Sequence, residues 1–254
     1  MATRSTEEAL VWAETANLSD WAGLFWHRYN RRNLWANASI RKRVILLQVA
    51  VRQVQEAVRQ DRPISEVQLH SAHVFAWLMS IVNYVGNKFY HRDLSVFMAM
   101  KYPGDSCTYC GSEPCVCLIG VRPPFQIRSE WTPEQTGRSL GAYQAQLEAI
   151  YGPRNKKEGI DWVIGRLHSE VTEIGELLAR CDINPMGVGA FEQKLAFEIC
   201  DVLAWICAVA YSLGFSLEEG LATVYATKCP FCGGDVCQCD QATLERGSFI
   251  AQTS

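Results

Sequence analysis

Glu173 and Glu176 stand three positions apart in this 254-residue chain, and so do Glu198 and Asp201. On a helix, residues i and i+3 project from one face about a turn apart, so each pair forms a two-carboxylate claw. Two facing claws would gather oxygen ligands suited to hard divalent cations, and Mg²⁺-dependent phosphate chemistry needs such ligands. Both pairs lie inside strongly apolar segments, where acids are costly without cations to neutralise them.

A second chemistry resides in cysteine. Cys107, Cys110, Cys115 and Cys117 repeat their spacing in Cys229, Cys232, Cys237 and Cys239. Four thiolates from two short turns match tetrahedral Zn²⁺, and with every position filled by protein each tetrad reads as a closed structural site. An iron–sulfur cluster and redox thiols are the competing readings. Around the tetrads stand only Lys101, Lys228 and Arg246, too few cations to indicate a nucleic-acid partner. Cys181, Cys200 and Cys207 fall in apolar helical segments and read as small core residues.

The tetrads are 122 residues apart, and the same shift recurs upstream, where Tyr29–Asn33 matches Tyr151–Asn155 and Leu18 and Trp21 match Leu140 and Tyr143. With small gaps, Val54–Val58 runs beside Ile174–Leu178 and Val74–Trp77 beside Val202–Trp205. The chain is a tandem repeat. Its copies differ at the acids: Gln53 and Glu56 stand opposite Glu173 and Glu176, and His70 and His73 opposite Glu198 and Asp201. Only the second copy keeps four carboxylates. His70, His73 and Glu56 could form a relic transition-metal site, or the two histidines could simply occupy a disused face.

Apolar residues recurring at three and four predict helices throughout, with Leu167, Val171, Ile174 and Leu178 on one segment and Leu195, Ile199, Val202 and Ile206 on the next. Helices are expected near 6–16, 18–29, 39–60, 66–86 and 93–101, then near 133–151, 157–181, 190–213 and 217–228. Start signals are Ser5 with Glu8, Ser65 with Gln68, Thr132–Pro133 with Gln135, and Ser216 with Glu219. The expected organisation is a repeat over 1–118, a proline-interrupted linker over 119–132, a second repeat over 133–240 and a tail over 241–254.

The string His168–Leu178, with Glu173-x-x-Glu176, followed by Phe197–Leu203, with Glu198-x-x-Asp201, resembles the signature of MazG-like all-alpha nucleoside triphosphate pyrophosphohydrolases. Leu213–Leu221 looks like the start of that family's last helix, so the likeness covers about residues 140–228. The resemblance implies an all-α helical bundle whose site lies between paired subunits, so the tandem copies read as an intrachain pseudo-dimer with a degenerate first copy, while the fused copy and the two zinc knuckles that end the repeats depart from the family. It implies Mg²⁺ held by Glu173, Glu176, Glu198 and Asp201, and cleavage of a nucleoside triphosphate to the monophosphate and pyrophosphate. Further homodimerisation is compatible with it. Glu170 is a candidate general base or a plain surface acid. Arg154, Asn155, Lys156 and Lys157, just ahead of the acid-bearing helix, are candidate phosphate contacts, and Arg28, Arg31, Arg32 or Arg52 could add to them from the first copy. Trp205, one turn past Asp201, could stack on a base or pack in the core. A nucleotide- or nucleic-acid-binding zinc protein without turnover is the alternative.

Composition is compatible with this reading. The chain is 48% hydrophobic with a net charge of -3. Residues 1–120 hold 13 basic and 10 acidic side chains, and the remainder 11 and 17, so the halves should attract each other. An opening without a signal-peptide core, and apolar runs short of the ~18 residues a membrane span needs, lead to an expected cytoplasmic location.

Overall fold

The computed structural model describes residues 4–36, 39–89, 93–104, 106–117, 133–183 and 188–239. The expected linker, the Thr132 cap, the tail and the Cys181 side chain lie outside them. Helices dominate: α1 (Thr6–Thr15), α2 (Leu18–Ala36), α3 (Ile40–Arg59), α4 (Ile64–Phe89), α5 (Leu94–Lys101), α6 (Pro133–Thr136), α7 (Leu140–Glu158), α8 (Ile160–Ile183), α9 (Val188–Leu213) and α10 (Leu217–Leu221), which runs on as a π-helical turn over Ala222–Ala226. Among the described residues there is no β-strand, only an isolated antiparallel bridge between Asn17 and Ser139. The fold is all-α.

Local sequence explains most boundaries. Ser5 and Glu8 form a reciprocal capping box, and Ser216 accepts from the Glu219 N–H. The helix expected over 133–151 is instead two, because Ser139 caps a fresh start by accepting from the Ala142 N–H. Pro153 does not end α7. The proline removes one main-chain donor, yet the helix continues to Glu158 with Tyr151 and Asn155 both buried, and stops at Gly159, whose φ of 85° suits glycine. Ser65 is no cap, since α4 already starts at Ile64, and Gln68 instead donates to the Ser216 carbonyl at 3.0 Å.

The hairpins α3–α4 and α8–α9 pack side by side, α3 on α8 and α4 on α9, to make a four-helix bundle. Val54, Phe75, Leu78, Ile174, Leu195, Val202 and Ile206 lie in its core. α9 is the one described helix long and apolar enough to cross a membrane, over Ala190–Leu213, but neighbouring helices bury 61% of its most apolar stretch. It also carries Glu198 and Asp201.

Each repeat sends its end to the other. α5 packs on α9, and α10 packs on α4. The Cys115 N–H donates to the Ile150 carbonyl of α7, and the Cys237 N–H donates to the Arg28 carbonyl of α2, both at 2.8 Å. Cys237 and Ile150 lie 122 positions beyond Cys115 and Arg28, so these are one contact made twice. The Asn17–Ser139 bridge joins two positions related by the same shift, as expected on an axis of approximate two-fold symmetry.

Because the ends are exchanged, neither repeat should hold its shape alone. Residues 1–118 and 133–254 expressed as two polypeptides in one cell should co-purify as a one-to-one complex by size-exclusion chromatography with mass determination. Two independent monomers would refute the exchange.

Candidate metal centres and their setting

Each tetrad opens on a tight turn that carries its first two cysteines. The Gly111 and Gly233 N–H groups donate to the Cys107 and Cys229 carbonyls at 2.8 and 2.9 Å, and these glycines take φ of 69° and 71°. A side chain would be strained there. The four sulfurs of each tetrad lie within 4.8 Å of one another, with Cys107 3.8 Å from Cys117 and Cys229 3.9 Å from Cys239. Tetrahedral zinc with bonds of ~2.3 Å separates its sulfurs by ~3.8 Å, so both clusters could hold zinc.

The setting of the second tetrad explains an arginine. Arg28 is 2% exposed and donates to the Tyr225, Thr227 and Asp235 carbonyls and to the Asp235 carboxylate. It pins the tetrad to α2. At the first tetrad Arg154 stacks over Tyr151 and Trp162 and reaches the Cys115 sulfur at 3.7 Å. Asn155 is 2% exposed and donates to the Tyr211 hydroxyl at 2.6 Å. Of the residues read as phosphate contacts, these two face the protein, while Lys156 and Lys157 are exposed. Arg32 lies over Tyr29 and Trp77, Arg52 pairs with Glu56, and Arg31 is exposed.

The acids meet differently from the expected quartet. Carboxylate oxygens of Glu170, Glu198 and Asp201 lie within 4.8 Å of one another. Glu173 is half-buried beside them and receives the Ser169 hydroxyl at 3.5 Å. Glu176 is 57% exposed and pairs with Arg180 at 3.1 Å. The change follows from helical phase. Glu170 falls among Leu167, Val171 and Ile174 on the inward face of α8 and is 3% exposed, whereas Glu176 has turned outward. The repeat held a signal for this: one turn before Val54 and Ile174 the aligned positions are Ala50, a 2%-exposed core residue, and Glu170.

Burial pushes the Glu170 carboxyl up to about 7, with Asp201 adding to the rise and its Arg166 partner on α8 opposing it. Glu198 is raised too, first by burial and then by Asp201. From the other repeat, Lys101 pairs with Asp201 and donates to the Phe197 carbonyl at 2.9 Å, and the Tyr102 hydroxyl donates to the second Asp201 oxygen at 2.7 Å. Sequence reasoning placed neither residue here, because only the exchange brings α5 to α9. Trp205 packs edge-on against Trp162 at 5.2 Å, with Arg166 over its ring.

In the first repeat the corresponding place holds His73, whose Nδ1 lies 2.6 Å from the Tyr225 hydroxyl and whose ring stacks on Phe231. His70 sits 3.8 Å from Glu66, and Glu56 is taken up with Arg52. The proposed grouping of His70, His73 and Glu56 is not among the metal-capable clusters of the described residues.

Metal analysis should find two zincs per chain, falling to one in Cys232→Ser. Burial lowers the His73 pKa to about 4, with His70 adding to the effect. A histidine with a depressed folded pKa favours folding above its unfolded value near 6.5, and this is lost as pH falls toward 4. With metal kept saturating, His73→Gln should flatten the stability loss between pH 6.5 and 5 by about 1–2 kcal/mol in urea melts. No protein-family model, curated protein or solved structure matches this chain.

Proposed function

We propose that this chain is a Mg²⁺-dependent nucleoside triphosphate pyrophosphohydrolase, built as an intrachain pseudo-dimer of MazG-like bundles with one working site and two structural zincs. One observation carries the reading. Adjacent helices of the second repeat bring one buried and two partly buried carboxylates together, and the matching place in the first repeat holds histidines.

The donor set fits a hard cation. Three carboxylates supply oxygen ligands, and an octahedral ion with bonds of ~2.1 Å needs opposed oxygens only ~4.2 Å apart. Glu170, Glu198 and Asp201 would hold the ion. Bound there, Mg²⁺ supplies charge for the triphosphate and acidifies a water to act as nucleophile. Glu173, half-buried beside the trio, would serve as the proton acceptor. Arg166, partly exposed beside Glu170, offers a guanidinium to the phosphates. The Trp162–Trp205 pair lies beside Arg166, with Trp205 one helical turn past Asp201 on α9, and would give an aromatic edge on which a base can rest.

The alternative, a nucleotide-binding protein without turnover, draws on a different observation. Both Asp201 oxygens are already engaged by Lys101 and Tyr102, so the acids are partly balanced from within.

Pyrophosphate release from a panel of NTPs and dNTPs with Mg²⁺ separates the two. Glu170→Gln and Glu198→Gln should each lower kcat by about 100-fold, and Glu176→Gln by less than about threefold. Wild-type turnover in Glu198→Gln, or none in the parent chain, would reject the hydrolase.

A further inference from the structure

Lys101 is 6% exposed at the end of α5, yet its ammonium reaches across the repeat boundary into the acidic trio. It meets an Asp201 oxygen, donates to the Phe197 carbonyl at 2.9 Å and lies 5.5 Å from the Phe197 ring centre. Glu198 also bears on it electrostatically. Tyr102 takes the other Asp201 oxygen. A buried charge is held this closely only where an opposite charge repays its lost hydration. The position 122 residues on is Thr223, whose hydroxyl donates to the Glu219 carbonyl of its own helix. The cation therefore belongs to the acid-bearing side alone.

We propose that Lys101 is a built-in counter-cation of the carboxylate site, which competes with a divalent metal ion for Asp201 and is displaced when that ion binds. The inference rests on the metal-site reading above and deepens it, by giving the first repeat a direct part in loading the site. Asp201 presents only two oxygens, and each has a partner from the α5 end. An ion that takes the Lys101-bound oxygen must move the ammonium away, while Tyr102, a neutral donor, can keep its hold and preserve the direction of the carboxylate. Lys101 is a positioning residue in this scheme. It keeps three acids from repelling one another before the metal arrives, and it weakens metal affinity by the same interaction.

The test measures metal binding without nucleotide. Mn²⁺ serves as the oxygen-seeking probe, titrated by electron paramagnetic resonance into the full-length, zinc-loaded chain. Lys101→Met should bind Mn²⁺ about tenfold more tightly than the parent, the scale expected for removing one partly screened positive charge. Lys101→Arg should stay close to the parent, Tyr102→Phe should not tighten binding, and Asp201→Asn should abolish it. Equal or weaker binding in a folded Lys101→Met overturns the counter-cation role alone. Absence of Mn²⁺ binding in parent and variant together overturns the carboxylate site with it. A second measurement needs no substitution: Lys101 in the parent chain should become reactive to an amine-acylating reagent when Mn²⁺ saturates the site, as read by peptide mass spectrometry. Lys101 that stays protected under saturating Mn²⁺ overturns the displacement.

Discussion

Two main-chain hydrogen bonds, Cys115 to Ile150 and Cys237 to Arg28, fasten the ends of each repeat onto the other, and the rest of the molecule depends on that exchange. A short cysteine-rich segment cannot build a hydrophobic core of its own, and here four sulfurs within 4.8 Å of one another lie inside each such segment while a helix of the other repeat docks outside it. Arg28 shows how firmly it is docked: one buried guanidinium satisfies two carbonyls just ahead of the second tetrad and one between its second and third cysteines. The same attachment on the other side sets α5 against α9 and so carries Lys101 and Tyr102 to Asp201.

Charge in the interior follows from this packing. Glu170, Glu198 and Asp201 approach one another where burial disfavours ionisation of the two glutamates, and the chain answers with Arg166 from α8 and Lys101 from the opposite repeat. Burial, the largest influence, would lower the lysine's pKa, yet Asp201 together with Cys200 and Glu198 turns the net direction upward. Tyr102 is raised well above its ordinary value, first by burial and then by the same aspartate, so it remains a neutral donor. The trio is thus a place where negative charge is concentrated and only partly balanced.

Much of the fold was legible in the sequence because helical periodicity and side-chain caps are local. The apolar spacing of α8 and α9, the Ser5–Glu8 box and the repeated cysteine spacing all have their counterparts in the structure. The misses were of two kinds. Ser139 restarts a helix by a single side-chain bond that a reading centred on Thr132 passed over, and Pro153 is tolerated because buried neighbours hold α7 together. The site was harder, since an E-x-x-E pattern says that two acids share a side of a helix but leaves open how far that side is turned inward. Helical phase brought in Glu170 and left Glu176 in solvent with Arg180. Lys101 was beyond reach for another reason, because its partner is 100 residues away and on the other repeat.

The difference between Lys101 and Thr223 has a consequence for how such a molecule can specialise. Two identical subunits related by a two-fold axis must carry every substitution twice, so a lysine that suits one acidic face would be imposed on both. Joining the subunits in a single polypeptide lifts that constraint. One face can then collect acids while its twin collects His73, Tyr225 and Phe231, and each can change without harming the other.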